Sequence, residues 1–102
     1  MKLYTLNATP VREDVSDYDN QVRIDNYPKV VAKIMASNGF DGFTIYKVDG
    51  YWMGKAEVSF KIELATEVKN AHKVNELAKD LRDMYNQDSV MVTYPDNHVE
   101  FI

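Results

Sequence analysis

Residues Phe43–Ser59, with the sequence FTIYKVDGYWMGKAEVS, decide the fold of this chain. The segment predicts two strands, Phe43–Asp49 and Lys55–Ala65, joined by a glycine-bounded turn at Gly50–Gly54. Apolar and polar residues alternate along the second strand, as is typical of a strand with one face against helices and one face open. The apolar face carries Ala56, Val58, Phe60, Ile62 and Leu64, and the open face carries Glu57, Ser59, Lys61 and Glu63.

The sequence on either side of this hairpin supplies the remaining elements. Pro28 suits a first helical turn, and Asn38-Gly39 is a typical helix stop. Asn70 is predicted to cap a second helix, whose apolar residues Val74, Leu77, Ala78, Leu81 and Met84 follow the helical period. The other predicted elements are strands at Lys2–Thr9, Ser89–Tyr94 and His98–Ile102, a polar loop at Val11–Asn26, which can continue into an early helical turn, and the first helix at about Pro28–Ser37.

The order β-α-β-β-α-β with an appended strand predicts a ferredoxin-like α+β sandwich, in which two helices cover one face of an antiparallel sheet. All 102 residues are expected to form a single domain. The opposite face of the sheet is left with mixed polar and apolar groups. We therefore expect an oligomer, a trimer, in which open faces pack together and leave clefts between subunits.

The composition excludes several classes of protein. Apolar residues make up 45% and charged residues 27% of the chain, and no apolar run approaches the roughly 18 residues of a membrane span. The net charge is −4, with scattered cations, which argues against nucleic acid binding. Without cysteine, disulfides and thiolate chemistry are excluded, and the cytoplasm is the expected location.

Common catalytic motifs are missing from the sequence. The two histidines, His72 and His98, stand apart and are expected to be surface residues, so no metal site is predicted. No Ser/His/Asp arrangement, dinucleotide-binding Gly-x-Gly-x-x-Gly or phosphate-binding loop occurs, and no cofactor is expected. Any reaction would have to proceed without these groups.

Glu57 is the candidate functional residue with the most specific context. In a monomer it would be a solvated carboxylate on the open face of a strand. In a cleft between subunits, flanked by Tyr46 and the aromatic turn, it would be a partly desolvated anion beside aromatic rings and would favour a cationic ligand. Tyr51 and Trp52 either touch such a ligand or fill an interface, and the sequence leaves both alternatives open.

The segment Gly50–Ser59, followed by a helix and then Gln87-Asp88-Ser89-Val90-Met91-Val92, resembles small phage proteins and, more distantly, the phage S-adenosylmethionine lyases. The resemblance covers roughly Phe43 to Val92. It implies a trimer of ferredoxin-like, PII-like subunits with active sites between them, which cleave S-adenosylmethionine to methylthioadenosine and homoserine lactone. It further implies an anti-restriction role in the cytoplasm of a phage host, through depletion of the methyl donor.

The resemblance also assigns residues. It places the family's essential glutamate on Glu57, eleven positions after Tyr46, a spacing similar to that between the family's active-site tyrosine and glutamate. It places the backbone that holds substrate at Asn7-Ala8-Thr9, where an aromatic residue and a serine would be expected instead. Tyr46 and Glu57 are thus the predicted catalytic residues, in half of a site that a neighbouring subunit completes. The predicted substrate-binding residues are Asn7, Ala8, Thr9, Trp52 and Ser59.

The implied chemistry needs few protein groups, because the substrate's own carboxylate is the nucleophile and the leaving group is a neutral thioether. The protein would have to hold the methionyl tail in a reactive conformation. Two alternatives remain at this point. One is a non-enzymatic phage protein that inhibits a host factor or sequesters a nucleotide-like ligand, and the other is a structural or assembly protein.

Overall fold

The computed structural model describes residues 1–102 with the exception of the side chain of Trp52. Seven main elements follow one another, with a short 3-10 helix before the second α-helix. They are β1 (Lys2–Ala8), α1 (Asp17–Ser37), β2 (Thr44–Trp52), β3 (Lys55–Thr66), the 3-10 helix Val68–Asn70, α2 (Ala71–Met84), β4 (Met91–Thr93) and β5 (Val99–Phe101).

The strands form one sheet in the order β2-β3-β1-β4-β5, and every pair of neighbours is antiparallel. This confirms the predicted ferredoxin-like α+β architecture, with β5 added at one edge. The core lies between the two helices and one face of the sheet. Its fully buried members include Tyr4, Leu6, Met35, Ile62, Leu64, Leu77 and Val92.

The other face of the sheet is left uncovered and carries large apolar groups. Leu3 is 52% exposed, Tyr46 45% and Phe101 70%, and all three lie on the side away from the helices by their register. Uncovered apolar groups on a sheet face are typical of surfaces that associate. The predicted trimer, which would cover this face, stays a prediction.

Helix α1 begins much earlier than predicted. The expected loop at Val11–Asn26 ends at Ser16, whose hydroxyl accepts a hydrogen bond from the Asp19 amide as an N-cap. Asp17 and Asp19 in the first turn also favour the helix N-terminus. Pro28, predicted as the helix start, lies inside the helix, which continues through it because buried Ile24, Tyr27 and Val31 keep this face of the helix in the core.

The hairpin turn is shorter than predicted. Gly50, Tyr51 and Trp52 are paired in the β2–β3 ladder, so the expected turn at Gly50–Gly54 shrinks to the two residues Met53 and Gly54. Their φ angles of 49° and 79° are both positive, as in the type I′ turns that match the twist of a hairpin. The hairpin therefore extends further beyond the sheet than the sequence indicated.

Other boundaries differ by a few residues. The two C-terminal strands are shorter than expected, and Met84, predicted in the apolar stripe of α2, is 52% exposed. Asn70 precedes α2, but its side chain does not cap the helix and instead donates to the Thr66 hydroxyl over 2.9 Å. The stop at Asn38-Gly39 is confirmed, with Gly39 at a φ of 82°.

Candidate functional site

The C-terminal end of β1 is fastened to β3 by side-chain hydrogen bonds. The Ser59 hydroxyl donates to the Ala8 carbonyl over 3.0 Å, and the Thr9 hydroxyl donates to the Val58 carbonyl over 2.8 Å. Thr9 Oγ1 also accepts a hydrogen bond from the Val11 amide at 3.1 Å. These contacts fix the point at which the chain leaves the sheet.

Residues 10–16, here called the strap, connect β1 to α1 and are held by Asn20. The Asn20 Oδ1 atom accepts from the Arg12 amide at 3.1 Å, while its Nδ2 donates to the carbonyls of Arg12 at 2.9 Å and Val15 at 3.2 Å. A single amide side chain thus satisfies three backbone groups of a segment without regular structure. The strap is therefore bound to the helix rather than free to swing.

The strap is also tied to the loop between α2 and β4. Arg12 donates through Nη1 to the Asn86 carbonyl, and Gln87 Nε2 donates to the Val11 carbonyl at 3.1 Å. Two further bonds join Arg12 to Asp14, at 2.8 Å from Nε and 3.0 Å from Nη2. This pairing raises the pKa of Arg12 and lowers the pKa of Asp14.

Two clefts open on either side of the strap at this end of the sheet. The first has a volume of about 420 Å³ and is lined by Val11, Arg12, Glu13, Asp14, Glu57, Asn86, Gln87 and Asp88. The second has a volume of about 620 Å³ and is lined by Val11, Glu13, Asp17, Asn20, Gln21, Ile24, Lys55, Ala56, Glu57 and Val58. Val11, Glu13 and Glu57 line both clefts, so the strap and the start of β3 form a shared wall.

The two clefts are strongly acidic. Five carboxylates line them against two cationic side chains: Glu13, Asp14, Asp17, Glu57 and Asp88 against Arg12 and Lys55. One of the two cations, Arg12, is already paired with Asp14. A concave surface with excess negative charge raises the local concentration of cationic ligands.

Glu57 lies where the sequence placed it, on the open face of β3 and partly buried. Its partner across the ladder is Gly50, so no side chain stands directly opposite it. A Cβ atom added at Gly50 would lie 3.6 Å from the Ser59 Cβ, a distance at which an alanine fits. Because Gly50 has no side chain, it adds no bulk beside Glu57 on the open face.

Tyr46 is on the same face as Glu57 but not beside it. Tyr46 pairs with Lys61, four ladder positions from the Gly50–Glu57 pair, which corresponds to about 13 Å along the strand. The nearer carboxylate is Glu63, whose negative charge raises the pKa of Tyr46. One subunit alone does not bring the two predicted catalytic residues together.

The predicted substrate-binding residues fall into three groups. Ala8, Thr9 and Ser59 meet at the end of β1, but the hydrogen bonds they exchange with the backbone already use the Ala8 carbonyl and both hydroxyl protons. Asn7 lies one position earlier on the open face, opposite Lys61. The role predicted for the Trp52 side chain lies outside the described part of the chain.

The structure adds residues that the sequence did not single out. Arg12 and Glu13 lie in the predicted loop and Asp88 lies just before the predicted strand Ser89–Tyr94, and all three line the first cleft with Glu57. The many acidic residues after Pro10 could have indicated an acidic site. The contact between Val11 and Gln87, 76 positions apart, could not be inferred from the sequence because it forms only in the fold.

A third groove lies at the opposite end of the sheet. Its volume is about 620 Å³, and its walls include Tyr94, Glu100 and His98. The Tyr94 hydroxyl contacts Asn75 and lies 2.9 Å from the Glu100 carboxylate, which is 3.1 Å from His98 Nε2. Burial, together with Glu100, raises the pKa of Tyr94 to about 12.

Among the described residues, no group of His, Asp and Glu side chains could hold a metal ion, and no helix is long and apolar enough to cross a membrane.

The topology defines a ferredoxin-like α+β domain, with two acidic clefts at one end of its sheet. The sequence profile of the S-adenosylmethionine lyase family matches residues 8–102, and the chain belongs to this family. No curated protein sequence matches the chain significantly.

Solved structures show the same fold. A phage SAM lyase in complex with S-methyl-5'-thioadenosine has a TM-score of 0.74 at 18% identity, covering 98% of this chain and 87% of the other. A phage SAM lyase in the apo state has a TM-score of 0.76 at 20% identity, covering 98% and 86%. A nitrogen regulatory PII-like protein from Thiomonas intermedia, bound to ADP, AMP and bicarbonate, has a TM-score of 0.56 at 13% identity, covering 99% and 90%.

Proposed function

We propose that this protein is a phage-type lyase that converts S-adenosylmethionine to methylthioadenosine and homoserine lactone. A carboxylate oxygen of the methionyl tail forms a bond to Cγ, the bond from Cγ to sulfur breaks, and the sulfonium sulfur takes the electron pair to become a neutral thioether. No proton is transferred in this step. The observation that carries the proposal is the acidic cleft on Glu57 in a chain that belongs to this lyase family.

The charges of the cleft suit the charges of the substrate. S-adenosylmethionine carries a sulfonium and an ammonium group against one carboxylate, so its net charge is positive. Glu57 is partly buried and faces Gly50 rather than a cation, so its carboxylate is available to a positive ligand. Glu57 orients the cationic groups, and binding the tail in its folded conformation contributes much of the rate, since well-oriented intramolecular reactions gain up to roughly 7–11 kcal/mol.

The proposed site lies between subunits of a trimer. The uncovered apolar groups Leu3, Tyr46 and Phe101 on the open face support this arrangement, because packing them together removes apolar surface from water. The separation of about 13 Å between Tyr46 and Glu57 along the hairpin supports a site that joins Glu57 of one subunit to Tyr46 of a neighbour. Tyr46 and Trp52 then shape the pocket and limit water.

The activity is tested by incubating the purified protein with S-adenosylmethionine and measuring methylthioadenosine by chromatography. Glu57→Gln is expected to abolish product formation, while Glu67→Gln, the same change one residue beyond the far end of β3, is expected to leave it unchanged. Circular dichroism checks that both variants are folded. Full activity of Glu57→Gln would rule out the role of this residue, and binding without turnover by the wild-type protein would favour sequestration over catalysis.

The intersubunit arrangement is tested by mixing two inactive variants. Glu57→Gln and Tyr46→Ala, which removes the ring that shapes the pocket, are unfolded together in equal amounts and refolded, and the trimer is verified by native mass spectrometry. If each site takes Tyr46 and Glu57 from different subunits, one interface in four is intact, and about a quarter of the wild-type activity per subunit returns. No recovery in mixed trimers would show that both residues of one subunit serve the same site.

A further inference from the structure

Glu13 is a carboxylate of the acidic clefts that the proposed mechanism does not yet use. Like Glu57, it lines both clefts. Glu13 belongs to the strap, and Glu57 belongs to β3. Its neighbour Asp14 is occupied by Arg12, whereas the Glu13 carboxylate makes no hydrogen bond or ion pair with the described residues. Glu13 therefore presents an available negative charge to whatever enters the clefts.

The backbone on both sides of Glu13 is fixed before any ligand binds. Arg12 is held through its amide and carbonyl by Asn20, and the Val15 amide donates to the Arg12 carbonyl at 3.3 Å. The Val11 carbonyl is bound by Gln87. When Glu13 binds a ligand, the side chain must be ordered but the backbone is already in place, which lowers the entropic cost.

We propose that Glu13 binds the α-ammonium group of the substrate, an inference that rests on the proposed function. The substrate has two cationic centres, and the clefts offer two carboxylates on their shared wall. An ammonium group has three N–H donors and forms short, directional bonds to a carboxylate, whereas a sulfonium group has no donor. Glu13 at the exposed rim suits the donor-bearing end of the ligand, and Glu57, rooted in the sheet and partly buried, suits the sulfonium side.

The reaction does not change the ammonium group, because only the bond between Cγ and sulfur breaks. Glu13 thus contacts the substrate equally before and during the reaction. An interaction of this kind lowers KM and leaves kcat unchanged. Glu57, close to the bond that breaks, differs from Glu13 in this respect.

The experiment compares wild type, Glu13→Gln and the matched control Glu67→Gln with three ligands. S-adenosylmethionine carries both cationic centres, S-adenosylhomocysteine keeps the ammonium but lacks the sulfonium, and methylthioadenosine lacks both. For Glu13→Gln we expect KM for S-adenosylmethionine to rise roughly tenfold with kcat within twofold, as for the loss of one exposed charge-assisted hydrogen bond. The inhibition constant of S-adenosylhomocysteine should rise by a similar factor, and that of methylthioadenosine should not change.

Other outcomes overturn the assignment. A rise in KM below twofold, or an equal loss of affinity for methylthioadenosine, would show that Glu13 does not bind the ammonium group. A loss of affinity for S-adenosylmethionine without a loss for S-adenosylhomocysteine would also contradict the assignment. Both ligands carry the ammonium group, and only S-adenosylmethionine carries the sulfonium charge. If the wild-type protein forms no methylthioadenosine, the proposed function is wrong. If the wild type is active and the Glu13→Gln variant has the same KM, only the role of Glu13 is wrong.

Discussion

Removing the Asn20 side chain should loosen the strap. Asn20→Ala deletes three hydrogen bonds to strap backbone groups, two at Arg12 and one at Val15. Each hydrogen bond contributes a net 0.5–1.5 kcal/mol, so the three together contribute about 3 kcal/mol to the free energy of unfolding. The better helix propensity of alanine offsets about 0.5 kcal/mol of this loss. Because the freed carbonyls are near the surface and water can reach them, we expect a net loss of about 2 kcal/mol in the free energy of unfolding.

The matched control is the neighbouring Gln21→Ala. Gln21 bonds only to the exposed Asp25 side chain, at 2.9 Å one helical turn away, and such pairs contribute about 0.2–0.5 kcal/mol. Urea unfolding followed by circular dichroism gives both free energies, with an unchanged m value showing that the unfolded state is comparable. Hydrogen exchange adds a local test, because the Arg12 amide should lose its protection in Asn20→Ala. The reasoning is refuted if the two variants differ by less than about 0.5 kcal/mol and Arg12 exchanges as in the wild type.

Two further predictions concern the buried Tyr27 and the partly buried Tyr94. The Tyr27 hydroxyl is buried without a hydrogen-bond partner among the described atoms, and the ring packs against Phe60. Tyr27→Phe should keep this ring contact and raise the free energy of unfolding by up to about 1 kcal/mol. A decrease of more than about 1 kcal/mol in urea unfolding would contradict this reasoning. The raised pKa of Tyr94, about 12 in the fold against an ordinary value of 10.0, means that the folded state keeps its proton longer, so stability falls as pH rises from 10 to 12. The stability difference between wild type and Tyr94→Phe should shrink over that range, and a constant difference in urea midpoints at pH 9.5 and pH 12 would speak against the shift.

The strands were predictable because each has one buried face and one open face. The alternation around Phe60, Ile62 and Leu64 is a local pattern, and it fixed both the strand and the side on which Glu57 lies. The first turns of α1 were missed for a physical reason. Ile24 and Tyr27 continue the helical stripe of Val31, but they stand among polar residues, and a proline inside a helix is unfavourable enough that Pro28 indicated a start.

The candidate site was only half accessible to sequence reasoning. Glu57 was found because its strand alternates, whereas the strap owes its position to contacts between distant residues: Thr9 to Val58 and Val11 to Gln87 span 49 and 76 positions. No local pattern encodes such contacts. The separation of Tyr46 from Glu57 followed from a turn of two residues rather than five, since each residue added to the ladder moves Glu57 further from Tyr46.

The fixed strap bears directly on how the proposed lyase reaction would be accelerated. An intramolecular displacement needs no protein nucleophile, so the rate depends on how narrowly the walls of the site restrict the methionyl tail. A wall that had to fold over the substrate would use binding energy for its own ordering, whereas the strap is already tied to α1 through Asn20 and to the α2–β4 loop through Gln87. Binding energy from Glu57 can then serve to hold the reactive conformation. The residues that order the strap thus belong to the proposed catalytic apparatus although they need not touch the substrate.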